Sequence, residues 1–196
     1  MTKQKKTFEP TFSRRRLTVG AASAALLALG ARMPAFAAQK RAAVIYYTWS
    51  GSTERAAREI ARQTGAKLIK LEVREPYDSV YSRMTTVAQN EVRHLSRREL
   101  AQDVGELAEF DVIYLGTPYW WGACASPVHT FLMDHPLEGK DVHPFVVSAS
   151  SGPEGAYARI RELAPKARVH EGLHLTTDET ADCAVAVEAW LKRSQP

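Results

Sequence analysis

The chain has 196 residues, of which 45% are apolar and 24% are charged, proportions that are typical of one globular domain. Its formal charge is +4, from 26 basic and 22 acidic residues, but seven of the basic residues and one acidic residue lie in residues 1–37. The remaining chain carries 19 basic and 21 acidic residues. Its charge therefore gives no argument for binding nucleic acid or an anionic membrane.

Residues 1–37 have the three parts of an export signal. A basic segment ends at Arg16, an alanine- and leucine-rich stretch follows over 17–31, and Ala35-Phe36-Ala37 has the A-x-A pattern of a cleavage site. The apolar stretch is shorter than the roughly 20 residues that a membrane-spanning helix needs. We expect cleavage after Ala37, which leaves residues 38–196 as one domain.

The signal contains Ser13-Arg14-Arg15-Arg16-Leu17, which resembles the twin-arginine export motif S-R-R-x-[FL]. The alternative is an ordinary secretory signal with additional arginines. No cysteine lies near the cleavage site, so we expect no lipid anchor. Either route predicts a soluble periplasmic or otherwise extracytoplasmic protein with no stable membrane anchor.

After residue 38, apolar runs suited to buried strands alternate with helical periodicity. The predicted strands are 42–47, 67–73, 111–116, 144–148 and 168–175. One helix is predicted after each strand, around 56–61, 80–95, 127–133, 155–163 and 180–192. The inward face of the last helix is predicted as Ala181, Ala184, Val185 and Leu191.

Three residue types refine this pattern. Gly65 is expected to end the first helix. Lys67 and Lys70 place the second strand at an edge of the sheet. Pro144 is expected at the start of its strand, because an interior proline would remove a hydrogen bond of the ladder.

Five strand–helix units of this length predict an α/β three-layer sandwich, in which a five-stranded parallel sheet carries helices on both faces. Ligands in such folds bind beyond the carboxyl ends of the strands, where the strand order switches. The loops at that edge are 48–53, 117–122 and 148–155, and all three have unusual compositions.

The first of these loops suits a phosphate group. It contains one glycine and several hydroxyl residues between a strand and a helix: Thr48, Trp49, Ser50, Gly51, Ser52 and Thr53. Backbone N–H groups and the helix dipole favour an anion there. The loop lacks the lysine of a nucleoside-triphosphate loop and the G-x-G-x-x-G pattern of a dinucleotide site. The alternative is a plain helix cap formed by Ser52 or Thr53.

The second loop is aromatic, and the third is built of small residues. Pro118, Tyr119, Trp120, Trp121 and Gly122 follow the third strand, and such a display suits a planar ligand. The alternative is that one or both tryptophans pack against the next helix. In the third loop, Ser150, Ser151 and Gly152 are small enough for the backbone to approach a ligand.

Together these loops resemble those of the flavodoxin family. Residues 48–53 match the phosphate loop T-x-[ST]-G-x-T. The chain is most similar over 41–193 to a short branch that reads Y-F-S-W-S-G-N-T at the first loop and P-N-W-W-G at the second. It departs from that branch at Tyr119, where the branch has Asn. It departs again at 148–152, where the branch has T-H-G-G-S-G.

The resemblance implies strand order 2-1-3-4-5 and bound FMN. It places the phosphate on residues 48–53 and the flavin ring between 117–122 and 148–155, with no side chain acting as a general acid or base. The leading interpretation is an exported electron-transfer protein whose partner is a redox protein or a small-molecule electron acceptor. One alternative is an FMN-dependent reductase that passes electrons from a nicotinamide to a quinone. Another is a cofactor-free binding module that keeps the fold.

Two residue pairs could serve other chemistry. His170 and His174 lie four apart in a predicted strand, where they do not share a helical face, so a metal site there is disfavoured. Cys124 and Cys183 show no metal or C-x-x-C spacing. A disulfide between them and two separate packed cysteines both remain open.

Overall fold

The computed structural model describes residues 40–105 and 107–194. Its strands are β1 (Ala42–Tyr46), β2 (Lys67–Lys70), β3 (Val112–Trp120), β4 (Ala123–Cys124), β5 (Asp141–Ser148), β6 (Arg168–Val169) and β7 (Leu173–Thr176). Its α-helices are α1 (Ser52–Thr64), α2 (Tyr81–His94), α3 (Ser126–Asp134), α4 (Glu154–Leu163) and α5 (Ala184–Ser194). Two 3-10 turns, Leu107–Glu109 and Glu179–Asp182, precede β3 and α5.

The parallel sheet has the order β2-β1-β3-β5, with β6 and β7 both beside β5. Because β6 and β7 follow each other in the chain and pair in parallel with the same strand, they act as one interrupted fifth strand. The predicted parallel sheet of order 2-1-3-4-5 is confirmed. β2 lies at its edge, as its lysines indicated, and β4 adds a short antiparallel hairpin to the end of β3.

Pro144 lies inside β5, and the prediction that it would start the strand was wrong. Alternate residues of β5 bond to β6 or β7, since Val142 O accepts from His170 N–H at 2.9 Å and Ser148 O accepts from Thr177 N–H at 2.8 Å. The backbone nitrogen of Pro144 therefore faces the same side, toward β6 and β7. The fifth strand is interrupted opposite it, between Val169 and Leu173. The missing N–H thus falls where the ladder is already broken.

The structure also differs from the predicted boundaries at β2, which ends at Lys70 rather than 73, at the end of β3 and at the start of the last helix. β3 continues to Trp120 because residues 117 and 118 still pair with β5 and residues 119 and 120 pair with β4, so most of the predicted loop 117–122 is strand. The last helix starts only at Ala184, after a 3-10 turn that alters its phase. Its buried face is therefore Val187 and Trp190, while Ala181 and Val185 are exposed.

Two hydrophobic clusters cover the two faces of the sheet. One includes Val44, Ile60 of α1 and Trp190 of α5. The other includes Ile45 and residues of α2, α3 and α4. Cys183 belongs to the first cluster and Cys124 to the second, and both are buried free thiols. The predicted alternative of a disulfide is not realised here, because the cysteines lie on opposite faces.

The proposed export signal lies outside the described residues. Among the residues that are described, no helix is long and apolar enough to cross a membrane.

Candidate functional site

The turn from β1 into α1 is shaped by Gly51. Its φ is +89°, a left-handed conformation that side chains other than glycine rarely adopt. Gly51 N–H donates to Thr48 Oγ1 at 3.0 Å, and Gly51 O accepts the first helical hydrogen bond from Arg55 N–H at 3.1 Å. The loop therefore closes on itself and turns directly into the helix.

The first turn of α1 offers donors to an anion. The N–H groups of Ser52, Thr53 and Glu54 have no carbonyl one turn earlier to bond within the helix, and the helix dipole makes this end positive. Thr53 is 1% exposed, and its hydroxyl makes no hydrogen bond to any other described residue. Ser50, at the mouth of the loop, is exposed. This donor set fits a phosphate group.

Arg55 adds a cation that the sequence argument missed. Its Nη2 donates to Ser52 Oγ at 3.2 Å, and its Nε donates to Thr180 Oγ1 at 3.1 Å. Ser52 Oγ lies 3.1 Å from Ser50 Oγ, so the guanidinium and the loop hydroxyls form one network. A cation in the first turn opposes the helix dipole, and that unfavourable placement was the available signal for an anion site.

The hairpin between β3 and β4 turns at Trp121 and Gly122. Their φ values are +50° and +89°, which is the pattern of a two-residue type I′ turn. Trp121 is 51% exposed, and its Nε1 donates to Thr85 O of α2 at 3.0 Å. The turn thus exposes about half of an aromatic side chain at the carboxyl edge of the sheet.

Trp120 points inward from the same hairpin. Its ring meets those of Tyr47 and Tyr77 edge-on, with centroids at 5.8 Å and 5.2 Å. Trp120 therefore joins the core on that face, so one of the two tryptophans follows the packed alternative. Trp49 of the first loop is fixed separately, since its Nε1 donates to Asp78 O at 3.1 Å.

The third loop meets the second through Gly155. A Cβ at Gly155 would lie 2.0 Å from Gly122 O and 3.5 Å from the hydroxyl of Tyr119, so only glycine allows this approach. Within the loop, Ser148 Oγ donates to Ser151 O at 2.6 Å and lies 2.9 Å from His174 Nε2.

The remaining predicted residues lie at the rim. Ser150, Ser151 and Gly152 are exposed, and Pro118 is half-buried. The structure therefore brings the second and third loops into contact. Tyr47, which directly precedes the first loop, contacts Trp120 of the second.

A cleft of about 560 Å³ borders the first loop on the β2 side. Its walls include residues 47–50 and residues between 70 and 79 that the sequence argument did not select. Beneath it, Tyr77 donates to Glu91, and Arg98 Nη1 donates to the same carboxylate at 2.8 Å. The Arg98 guanidinium lies 4.1 Å from the centre of the Tyr77 ring.

The tyrosines of this cleft are not acid–base groups at neutral pH. Burial, followed by the hydrogen bond to Glu91, raises the pKa of Tyr77 well above its ordinary value of 10.0. Burial likewise raises the pKa of Tyr47. Both phenols therefore stay protonated at neutral pH.

His170 and His174 face different partners. His170 Nε2 lies 2.9 Å from Asp141 Oδ1, whereas His174 Nε2 is bonded to Ser148. Within residues 40–105 and 107–194, no group of three or more His, Cys, Asp or Glu side chains could hold a metal ion.

A family model described as flavodoxin matches residues 41–194. Among solved structures, a protein assigned as a flavoprotein from Bacteroides uniformis ATCC 8492 is 26% identical and superposes with a TM-score of 0.69. That comparison covers 78% of this chain and 98% of the other.

A flavoprotein from Lactobacillus acidophilus NCFM, solved in complex with FMN, is 23% identical, with a TM-score of 0.63. It covers 74% of this chain and 99% of the other chain. A comparison with curated proteins finds no match.

Proposed function

The chain belongs to the flavodoxin family, and from this premise we propose that it binds FMN at residues 48–53 and serves in electron transfer outside the cytoplasm. The observation that carries the proposal is the start of α1. There Gly51, the free N–H groups of the first turn and the Thr53 hydroxyl form a phosphate cradle backed by Arg55. The FMN complex of the similar Lactobacillus acidophilus protein supports the same ligand.

The chain's own residues would bind and orient the cofactor. The first turn of α1 would hold the phosphate, with Ser50, Ser52 and Thr53 as hydroxyl partners. Tyr119, Trp121 and Gly122 of the hairpin, together with Pro118 and 150–152, would border the ring. Trp120 would support that border from within the core. FMN, when bound, would supply the capacity to accept and release electrons.

The proposal predicts that the phosphate contributes strongly to binding. The protein purified from its full-length chain is expected to carry or take up FMN, seen by the flavin's visible absorption, and to bind riboflavin much more weakly. Gly51→Ala forces a strained φ at the cradle, so FMN affinity should fall by about tenfold or more, with little change for riboflavin.

Gly65→Ala is the matched control, because Gly65 ends the same helix with φ +70° and also has open space at its Cβ position. Gly65→Ala should lower the free energy of unfolding by a similar amount and leave FMN affinity unchanged. A colourless protein that fails to take up FMN would contradict the proposal and favour a cofactor-free binding module. Rapid oxidation of NAD(P)H with a quinone present would favour the reductase instead.

For export, we propose the twin-arginine route, from Ser13-Arg14-Arg15-Arg16-Leu17. Replacing Arg14 and Arg15 by Lys should leave precursor in the cytoplasm, measured by fractionation. Arg16→Lys is the control, because residue 16 occupies the variable position of the motif. Normal export of the double variant would indicate the ordinary secretory route.

A further inference from the structure

The third loop, which borders the proposed ring site, is held by one buried hydroxyl. Ser148 is the last residue of β5 and is 4% exposed. Its Oγ–H donates to Ser151 O at 2.6 Å. Among the described residues, no other hydrogen bond reaches the backbone of residues 149–152. The conformation of this exposed loop therefore depends on the Ser148 hydroxyl.

His174 of β7 contacts that hydroxyl from the neighbouring strand. β5 and β7 pair in parallel, with Val146 opposite His174. Because side chains alternate along a strand, Val146 and Ser148 lie on the same face of the sheet, and His174 reaches Ser148 along that face. Nε2 of its half-buried ring lies 2.9 Å from Ser148 Oγ. His174 Nε2, Ser148 Oγ and Ser151 O form a chain that we call the loop relay.

The donor in the first bond of the loop relay can be assigned. A serine hydroxyl has one hydrogen atom, and Ser148 donates it to Ser151 O, because a carbonyl oxygen can only accept. Ser148 Oγ must therefore accept from His174, so His174 carries a proton on Nε2. Protonation of Nδ1 leaves this bond in place, since the neutral and the charged ring both donate from Nε2. The loop relay thus runs in one direction, from His174 to Ser151.

The loop relay also orients the peptide between Ser151 and Gly152. This peptide is trans, and the C=O and N–H of a planar trans peptide point in opposite directions. Because Ser151 O points inward to Ser148, the N–H of Gly152 points away from it. Gly152 is exposed, and its N–H has no hydrogen-bond partner among the described residues. The loop therefore presents one oriented and free donor at the rim.

We propose that His174 is a positioning residue of the flavin site: through Ser148 it fixes the third loop, so that Gly152 N–H is available to acceptor atoms of the flavin ring. This inference rests on the proposed binding of FMN, whose ring carries carbonyl oxygens and unprotonated nitrogens. A donor that is oriented before binding loses little conformational entropy when the ligand arrives. His174 thus contributes to affinity without touching the ligand.

The first test uses the wild-type protein without flavin, produced from the full-length chain. Nitrogen-15 NMR of the histidine side chains should find neutral His174 with its proton on Nε2 and with Nδ1 unprotonated. The order parameter of the Gly152 amide should be close to that of rigid backbone, about 0.85. The opposite tautomer of His174, or a Gly152 order parameter below about 0.6, would overturn the proposal.

Three variants separate the N–H donor from the rest of the side chain. His174→Leu and Ser148→Ala break the loop relay, whereas His174→Gln keeps an N–H donor the same number of bonds from the backbone as Nε2. The first two should lower the order parameter of the Gly152 amide in the flavin-free protein, and His174→Gln should retain it. A His174→Gln protein with the mobile loop of His174→Leu would show that ring packing holds the loop, which contradicts the proposal.

Flavin affinity, measured by titration of flavin fluorescence, then tests what the loop does. His174→Leu and Ser148→Ala should weaken FMN and riboflavin binding by the same factor, about fivefold to tenfold, because both ligands carry the ring. Gly51→Ala is expected to weaken FMN alone. His170→Leu is the matched control, since His170 is bonded to Asp141 instead, and it should change neither affinity.

The failures of the two proposals can be told apart. If the wild-type protein binds flavin and His174→Leu and Ser148→Ala bind it equally well, the role of His174 is overturned and the proposed function stands. A wild-type protein that takes up neither FMN nor riboflavin would overturn both.

Discussion

The two edges of the sheet carry openings of almost equal size, about 560 Å³ at the carboxyl edge and about 570 Å³ at the amino edge, but they are built differently. At the carboxyl edge, the walls are residues 47–50 of the first loop and residues between 70 and 79, after β2. At the amino edge, side chains within the strands, Tyr114 and His143, form the wall.

The difference shows two ways in which one sheet can form an opening. A loop site depends on local backbone geometry, so a single glycine such as Gly51 controls it. A strand site depends on register, because neighbouring strands must place His143 beside Tyr114 and the end of β6 must bring His170 over it. Residues of the loop opening can be replaced without disturbing the core, whereas the residues of the strand opening are part of the core.

The largest expected contrast is between two tryptophans. Trp190 at the amino edge is fully buried, and its Nε1 donates to Glu171 O at 3.1 Å. Trp190→Ala should lower the free energy of unfolding by about 3–5 kcal/mol, because it leaves a large cavity. Trp121→Ala at the carboxyl edge, where the side chain is half exposed, should cost about 1 kcal/mol or less. Urea denaturation measures both, and similar losses would contradict the distinction between core and rim.

A smaller effect should appear with pH. Burial, and then the neighbouring His170, lowers the pKa of His143 from 6.5 to about 4. The unfolded chain takes up a proton near pH 6.5, while the folded protein takes it up only near pH 4. The free energy of unfolding should therefore fall as the pH drops through this range, by about 3 kcal/mol at most.

His143→Phe should remove that part of the pH dependence, as measured by urea denaturation between pH 7 and pH 4.5. Burial also lowers the pKa of His129, so His129 should make its own contribution to the pH dependence of unfolding. His129→Phe is therefore the matched comparison. If the free energy of unfolding of His143→Phe depended on pH as it does in the wild-type protein, the amino edge would not bury a neutral imidazole.

The smallest effect concerns Arg55, the cation beside the proposed phosphate site. Arg55→Gln should weaken FMN binding about tenfold, equal to about 1.4 kcal/mol, and the loss should shrink at high salt. Riboflavin binding should change little, because it lacks the phosphate. Arg58 is an exposed arginine that pairs with Glu54, one turn earlier in the helix. Arg58→Gln should leave FMN affinity unchanged. Equal losses in the two variants would mean that only general charge matters at this edge.

The order of elements could be predicted because apolar periodicity is a local property. The boundaries that failed depend on partners distant in the chain. β3 extends to Trp120 because β4 folds back on it. Pro144 is tolerated inside β5 because the fifth strand is interrupted beside it. The buried face of α5 differs from the predicted one because the preceding 3-10 turn changes the phase of the helix. No pattern within 180–192 reveals that change.

By itself the sequence determined the three-layer α/β architecture and the tight turn at 48–53, because a glycine and hydroxyls between a strand and a helix dictate their own geometry. Only the tertiary structure decided the contacts of Arg55, which reaches Thr180 from 125 positions away, and of His143, which lies among Tyr114, His170 and Trp190. Such side chains meet only when the strands pair in register, and register is a property of the folded sheet.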